Sequence, residues 1–310
     1  MTESPTSKNN YQPFSAAEPS IGYATSADGS VIGYRRLGRG PGVLVVHGGM
    51  SSGYNHLQMA KAMADEFAVY LVDRRGRGLS GPTAKADNLD TEVEDIDALL
   101  AQTSAHFIFG LSAGAIICLE SALRLPAVHK AAIFEPPLFV GDLRTPSEAL
   151  LRFDREMAKG EVAAALITAM KASQMGPRVL NLVPRGILEW LTSLMMKAED
   201  KNPPNGYETT RTLAATMHHD MQLVVDMAGE INRFKAIGRK VLLLGGSRSP
   251  MYLRRDLDEL QTRLAGAQRV EMANLGHAAS WNSDRGGNPE PVVRELKRFF
   301  ASGEEIRPKI

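Results

Sequence analysis

Cysteine is almost absent from this chain of 310 residues; the single one is Cys118. One thiol cannot build an internal disulfide framework, and the usage fits a reducing cytoplasm, which is the expected location. Charge of one sign is lacking too: 36 basic and 35 acidic residues leave +1. No basic stripe interleaved with aromatics stands out, so nucleic acid is not an expected partner. No apolar run approaches the ~20 residues of a membrane span, so no membrane partner is expected. No histidine, cysteine and aspartate cluster has metal-ligand spacing. The glycine loops match neither a P-loop nor a dinucleotide fingerprint, so no metal or cofactor is expected. Repeats and low-complexity tracts are missing as well. The segment Met1 to Asn10 is polar, without the apolar stretch of a secretory signal, and residues 1–20 are expected to form a mobile tail.

What is present is a hydrophobic content of 44%, enough for a large core. The most informative stretch is Gly110-Leu111-Ser112-Ala113-Gly114. It follows the apolar run His106-Phe107-Ile108-Phe109 and precedes the helical pattern Ala115-Ile116-Ile117-Cys118-Leu119. Strand, sharp turn and helix with serine at the apex read as a nucleophile elbow. Glycines on either side let strand and helix approach closely. Cys118, in the following helix, is expected to be a buried structural thiol.

Alternation organises the rest. Ile21–Thr25 and Val31–Arg36 flank Asp28-Gly29, a hairpin signal. Val43–Val46, Ala68–Val72, Phe107–Phe109, Ala131–Phe134 and Val241–Leu244 are continuous apolar runs of the kind buried on both faces of a parallel sheet. Helical patterns such as Thr91–Gln102 and Ala113–Arg124 separate them. The expected fold is α/β, a doubly wound and mostly parallel sheet. Between residues 141 and 229 the pattern becomes purely helical, predicting an inserted all-helical cap. Core segments 21–140 and 230–303 flank it. Thr145-Pro146-Ser147-Glu148 reads as a capping box opening the first cap helix. Further helices are expected over Glu161–Gln174, Ile187–Lys197 and Thr209–Met227. Eight of the fourteen methionines fall in the cap. They either fill gaps between its helices or form an adaptable apolar pocket roof.

A serine hydroxyl is a poor nucleophile at neutral pH and needs a base, itself oriented by an acid. Of seven histidines, His277 is the candidate base. It follows the strand-like Arg269–Met272 in a loop near the C-terminus, and the chain order nucleophile, acid, histidine suits this fold. His47 is expected to shape a glycine turn, and His56, His106 and His129 to be structural. Met195, Met217 and His218 are the candidates for substrate contact, with an ordinary polar helix position the favoured reading of His218.

These segments together, with His47-Gly48-Gly49, Asp73-Arg74-Arg75-Gly76-Arg77-Gly78-Leu79-Ser80 and Gly276-His277, resemble the α/β-hydrolase fold superfamily over nearly everything after residue 20. The resemblance is to serine-nucleophile, cap-bearing members, and it departs at the acid. Many members carry an aspartate shortly after the strand corresponding to Val241–Leu244. Here Ser249 stands in that place, and Asp256 and Asp258 read as part of a solvated helix beyond reach. Glu135, at the carboxyl end of the preceding strand, lies beside the expected crevice, and its longer arm suits a neighbouring-strand position. Pro136 is expected to push Glu135 toward extended backbone. Some members of the family place their acid there. A salt bridge at the cap entrance is the alternative role. The oxyanion donors are then the amide of Ala113 and, by resemblance, that of Gly49 or else Met50. The Asp73–Ser80 loop is expected to be a brace whose arginines pair with acids under the cap.

The implied function is a cytosolic serine esterase or lactonase acting on a small-molecule ester, bulky and apolar, and by resemblance a macrocyclic lactone such as a macrolide antibiotic. Thioester, carbon–carbon bond or small-amide cleavage on the same machinery stays open. So does a non-catalytic ligand receptor on the same scaffold. Oligomeric state is not readable.

Overall fold

A computed structural model describes residues 18–302, apart from Lys85 and Pro177. The tail expected over residues 1–20 lies outside the described residues up to 17, and so does residue 303. Ser20 already belongs to a strand: β1 (Ser20–Thr25) pairs antiparallel with β2 (Val31–Leu37), opposite Arg36. The turn between them holds Asp28-Gly29, with Gly29 at φ +86°.

Six further strands complete the sheet: β3 (Gly42–Val46), β4 (Ala68–Val72), β5 (Phe107–Leu111), β6 (Lys130–Phe134), β7 (Lys240–Gly246) and β8 (Gln268–Met272). Their order is β1-β2-β4-β3-β5-β6-β7-β8. Pairing is antiparallel for β1–β2 and β2–β4 and parallel from β4 through β8. Every residue of β4, β5 and β6 is buried, which is why these strands appear as unbroken apolar runs.

Side chains alternate across the sheet with period two. Leu44 and Val46 join Ile108, Ile116 and Ile117 in one core layer, against α2 (Leu89–Thr103), α3 (Ala113–Arg124) and α8 (Met251–Arg263). Val43 and Val45 join Phe107, Phe109, Met63 and Phe300 in the other, against α1 (Leu57–Met63) and α9 (Pro289–Ala301). Helices on both faces make the sheet doubly wound. Cys118 is fully buried in the first layer, and burial pushes its thiol pKa far up, as for a structural thiol.

Between β6 and β7 the chain forms α4 (Arg144–Ala158), α5 (Val162–Ala172), α6 (Arg185–Lys201) and α7 (Thr210–Met227). The capping box expected at Thr145 does not form. The helix opens at Arg144, and the Asp142 carboxylate accepts the Thr145 amide at 3.1 Å. An aspartate three residues upstream has satisfied that donor first. Among the described residues, no helix is long and apolar enough to cross a membrane.

Candidate active site

β5 ends at Leu111, and Ser112 turns the chain straight into α3 with φ 56° and ψ −122°. Such backbone is strained for a residue with a side chain and persists only where the surroundings impose it. The flanking glycines permit the turn. A Cβ on Gly110 would lie 2.3 Å from the Gly114 carbonyl, and one on Gly114 would lie 2.3 Å from that of Val46. The Ser112 amide is held by the Phe134 carbonyl at 2.9 Å. Ala113 opens α3, where first-turn amides have no intrahelical acceptor and the helix dipole is positive.

One strand over, Glu135 follows β6 and is fully buried. Its φ is +48°, so it takes a left-handed turn instead of the extended backbone expected before Pro136. This turn aims the carboxylate sideways. Oε1 accepts the Gly246 amide at 2.6 Å, and Oε2 accepts from His277 Nδ1 at 2.6 Å. His277 lies in the loop after β8, with its side chain 14% exposed against 0% for Glu135. With Nδ1 donating to Glu135, Nε2 is the nitrogen free to accept a proton. Ser112 and His277 line one cavity of about 1420 Å³, together with Gly48, Gly49 and Met50.

The other acids are committed elsewhere. Ser249 is buried, and its hydroxyl has no hydrogen-bond partner among the described residues. Asp256, expected to be solvated, is 1% exposed. Its carboxylate accepts the amides of Leu138, Phe139 and Val140 at 2.8, 2.9 and 3.0 Å. It therefore fixes the chain leaving Glu135, a role that a helical pattern alone conceals. Asp258 is exposed and pairs loosely with Arg269 at 3.7 Å.

Met195 and Met217 line the cavity, as do Leu166, Met170 and Met175 of the helical insertion. His218 is not among the lining residues. It turns outward and pairs with Asp154 at 2.8 Å, both side chains half-exposed. His56 and His106 serve structure: His56 meets the Ser280 carbonyl at 3.1 Å, and His106 stacks on His129 at 4.4 Å. Burial lowers the His56 pKa to about 4.

Beneath the Gly48–Met50 turn lies a buried charge cluster. His47 is fully buried; its Nδ1 donates to the Gly48 carbonyl at 2.8 Å, and its Nε2 accepts the Arg74 amide at 3.1 Å. Burial, and then Arg77 and Arg74, depress its pKa well below the usual histidine value. Arg74 donates to Glu92 at 3.0 Å and to Asp220 of α7 at 2.6 Å. Arg77 donates to Asp220 and, at 2.8 Å, to Thr216. Burial opposes the Asp220 charge, but Arg77 and Arg74 overcome it and hold the pKa below the usual carboxylate range. The brace expected of this loop is thus present. Asp220 also abuts the turn: a Cβ on Gly49 would lie 3.1 Å from its Oδ2 and 3.4 Å from Met217 Sδ. No local signal marks Asp220, because its partners lie more than 140 residues away in sequence. Asp220→Asn would leave two buried guanidinium groups undercompensated. The expected loss in chemical denaturation is about 3–5 kcal/mol.

A doubly wound sheet with a serine at a strand-to-helix elbow and a histidine–carboxylate pair at the same sheet edge has the layout of a hydrolase. The chain belongs to the alpha/beta hydrolase family, whose sequence profile matches residues 43–295. It is 33% identical over 115 residues to an uncharacterized hydrolase of Bacillus subtilis, a match spanning 36% of this chain and only 42% of that protein. It is 25% identical over 273 residues to a pimeloyl-[acyl-carrier protein] methyl ester esterase of Stenotrophomonas maltophilia, covering 86% of this chain and 95% of that one. Among solved structures, an alpha/beta hydrolase from Sphaerobacter thermophilus superposes with a TM-score of 0.71 at 27% identity, covering 90% of this chain and 100% of that one.

Proposed function

We propose that the protein is a carboxylic ester hydrolase working through Ser112, His277 and Glu135. The observation that carries this reading is the 2.6 Å bond from His277 Nδ1 to a fully buried glutamate, beside a cavity that Ser112 also lines. Ser112 Oγ attacks the ester carbonyl carbon while His277 Nε2 takes its proton. Glu135 holds the imidazole in the required tautomer and stabilises the imidazolium. The oxyanion accepts amide hydrogens from Ala113 and from Gly49 or Met50. Collapse expels the alcohol, which takes the proton from His277, leaving an acyl-enzyme. Water then repeats the sequence: it gives its proton to His277, attacks the acyl carbon and releases the acid with Ser112 re-protonated. The strained φ of both Ser112 and Glu135 supports these roles, since such strain gathers at functional sites.

Residues 141–229 act as a cap over the core formed by 21–140 and 230–303. Support comes from the methionines of α5, α6 and α7 that share the cavity wall with Ser112 and His277. The cavity exceeds the ~300–1,000 Å³ usual for small-molecule sites, which favours a bulky apolar ester or a macrocyclic lactone, macrolide antibiotics included. The ester chemistry named for the Stenotrophomonas relative supports carboxylic ester hydrolysis. An intact serine, histidine and acid favour turnover over a receptor role.

The test is a hydrolysis screen over short aryl esters, lactones and macrolides, read by mass spectrometry. Gain of one water on a macrocycle is the expected result. Met195→Ala and Met217→Ala are expected to shift the ratio of bulky to small esters cleaved. A profile untouched by both would contradict the cap's role in selection.

A further inference from the structure

The cavity that Ser112 and His277 share carries charge of one sign. Its charged lining residues are Lys171, near the end of α5, and Arg248, in the loop after β7. No aspartate or glutamate lines it among the described residues, in a chain whose 35 acids and 36 bases balance. Both cations are exposed. Neither has a carboxylate partner among the described residues; Arg248 Nη2 donates to the neutral Asn274 Oδ1 at 3.2 Å.

The placement of the acid explains this excess. Glu135 stands behind the imidazole, fully buried, with one oxygen on His277 and the other on the Gly246 amide. It is not part of the cavity wall. The wall position next to Arg248 is Ser249, which is uncharged. The carboxylate that serves His277 has thus been withdrawn from the surface a substrate meets. A concave wall with low-dielectric sides concentrates the field of the cations that remain.

From this we infer that the ester carries an anionic group, carboxylate or phosphate, remote from the scissile carbonyl, and that Arg248 and Lys171 bind it. The inference rests on the esterase reading above and modifies its substrate class: the bulky apolar body ends in an anionic group. Guanidinium supplies a fork suited to either oxyanion, and ammonium adds a point charge. Met170, Met175 and Met195 offer the apolar wall along which the intervening chain lies.

The test compares kcat/KM for three esters of one chain length. These are the monomethyl ester of an α,ω-dicarboxylic acid, its dimethyl ester, and a methyl ester ending in a phosphate monoester. Wild type, Arg248→Gln, Lys171→Gln and the double variant are measured at low and high salt. Both side chains are exposed, so the substitutions leave folding stability nearly unchanged. Wild type is expected to favour an anionic ester over the neutral one by about tenfold at low salt, the sum of two solvent-exposed charge contacts. The better of the two anionic esters identifies the group. The double variant is expected to bring the ratio to about one, and so is ~1 M salt, where the screening length falls to ~3 Å. Equal rates in wild type, with the neutral ester cleaved, would overturn this inference and leave the esterase reading standing. A preference that survives in the double variant would overturn the assignment to Arg248 and Lys171. Failure to cleave any ester, with Ser112 never acylated, would instead remove the esterase reading and this inference with it.

Discussion

Ser112→Ala is expected to abolish ester turnover and covalent labelling by a fluorophosphonate, with the fold intact. Removing a triad serine typically costs on the order of a millionfold in kcat. The fold survives because alanine keeps the Cβ and loses only the hydroxyl, so the strained φ of 56° is no worse than before. The amide bond to Phe134, which fixes the turn, is a backbone interaction and remains. A pure Ser112→Ala preparation that kept a tenth of wild-type turnover would rule out the serine mechanism. Thermal unfolding of the variant should overlay wild type.

Glu135→Gln should have the next largest effect, about ten-thousandfold in kcat, as for loss of the orienting acid in other serine triads. Glutamine keeps the shape, and its carbonyl oxygen can still accept the Gly246 amide, now at 2.6 Å from Oε1. Its amide nitrogen then faces His277 Nδ1. Two donors cannot share that contact, so Nδ1 must give up its proton and Nε2 must carry one. That tautomer cannot accept the Ser112 proton. KM should change little by comparison, because Glu135 does not line the cavity. Asp258→Asn should stay near wild type. Asp256→Asn should lower stability, since an amide cannot accept all three of the Leu138, Phe139 and Val140 amides, yet turnover per folded molecule should persist. If Asp256→Asn removed turnover from folded enzyme while Glu135→Gln was nearly silent, the acid would have been misassigned.

How much of this was legible follows from the kind of signal each residue leaves. Strands buried on both faces show as apolar runs, so β3 to β7 were placed to within a few residues. The elbow was legible because strand, Gly-x-Ser-x-Gly and helix are contiguous. The pairing of Glu135 with His277 could be inferred because two local facts combined: a carboxylate at the end of a strand and a serine where an acid is usual. The positive φ of Glu135 could not, because it runs against the preference of a residue before proline; the Glu135 amide is held by the Leu244 carbonyl of β7 at 3.2 Å. Asp256 was misread because a charged residue in a helix gives the same pattern whether water or three amides satisfy it. The start of α4 was misread because Asp142, outside the Thr145–Glu148 pattern, accepts the Thr145 amide. His218 was offered for substrate contact, but helix rotation decides which face meets the cavity. On α7 that face carries Met217, while Asp220 meets the arginines of the core.

The central claim is that Ser112 carries the acyl group during turnover. An aryl ester makes acylation fast enough for the acyl-enzyme to accumulate. Acid quenching during turnover, followed by peptide mass mapping, reads it directly. The account predicts a mass gain equal to the acyl group on the peptide containing Ser112, absent in Ser112→Ala. An acyl group mapped to another residue, or rapid consumption of the ester by wild type with Ser112 never modified, would contradict it.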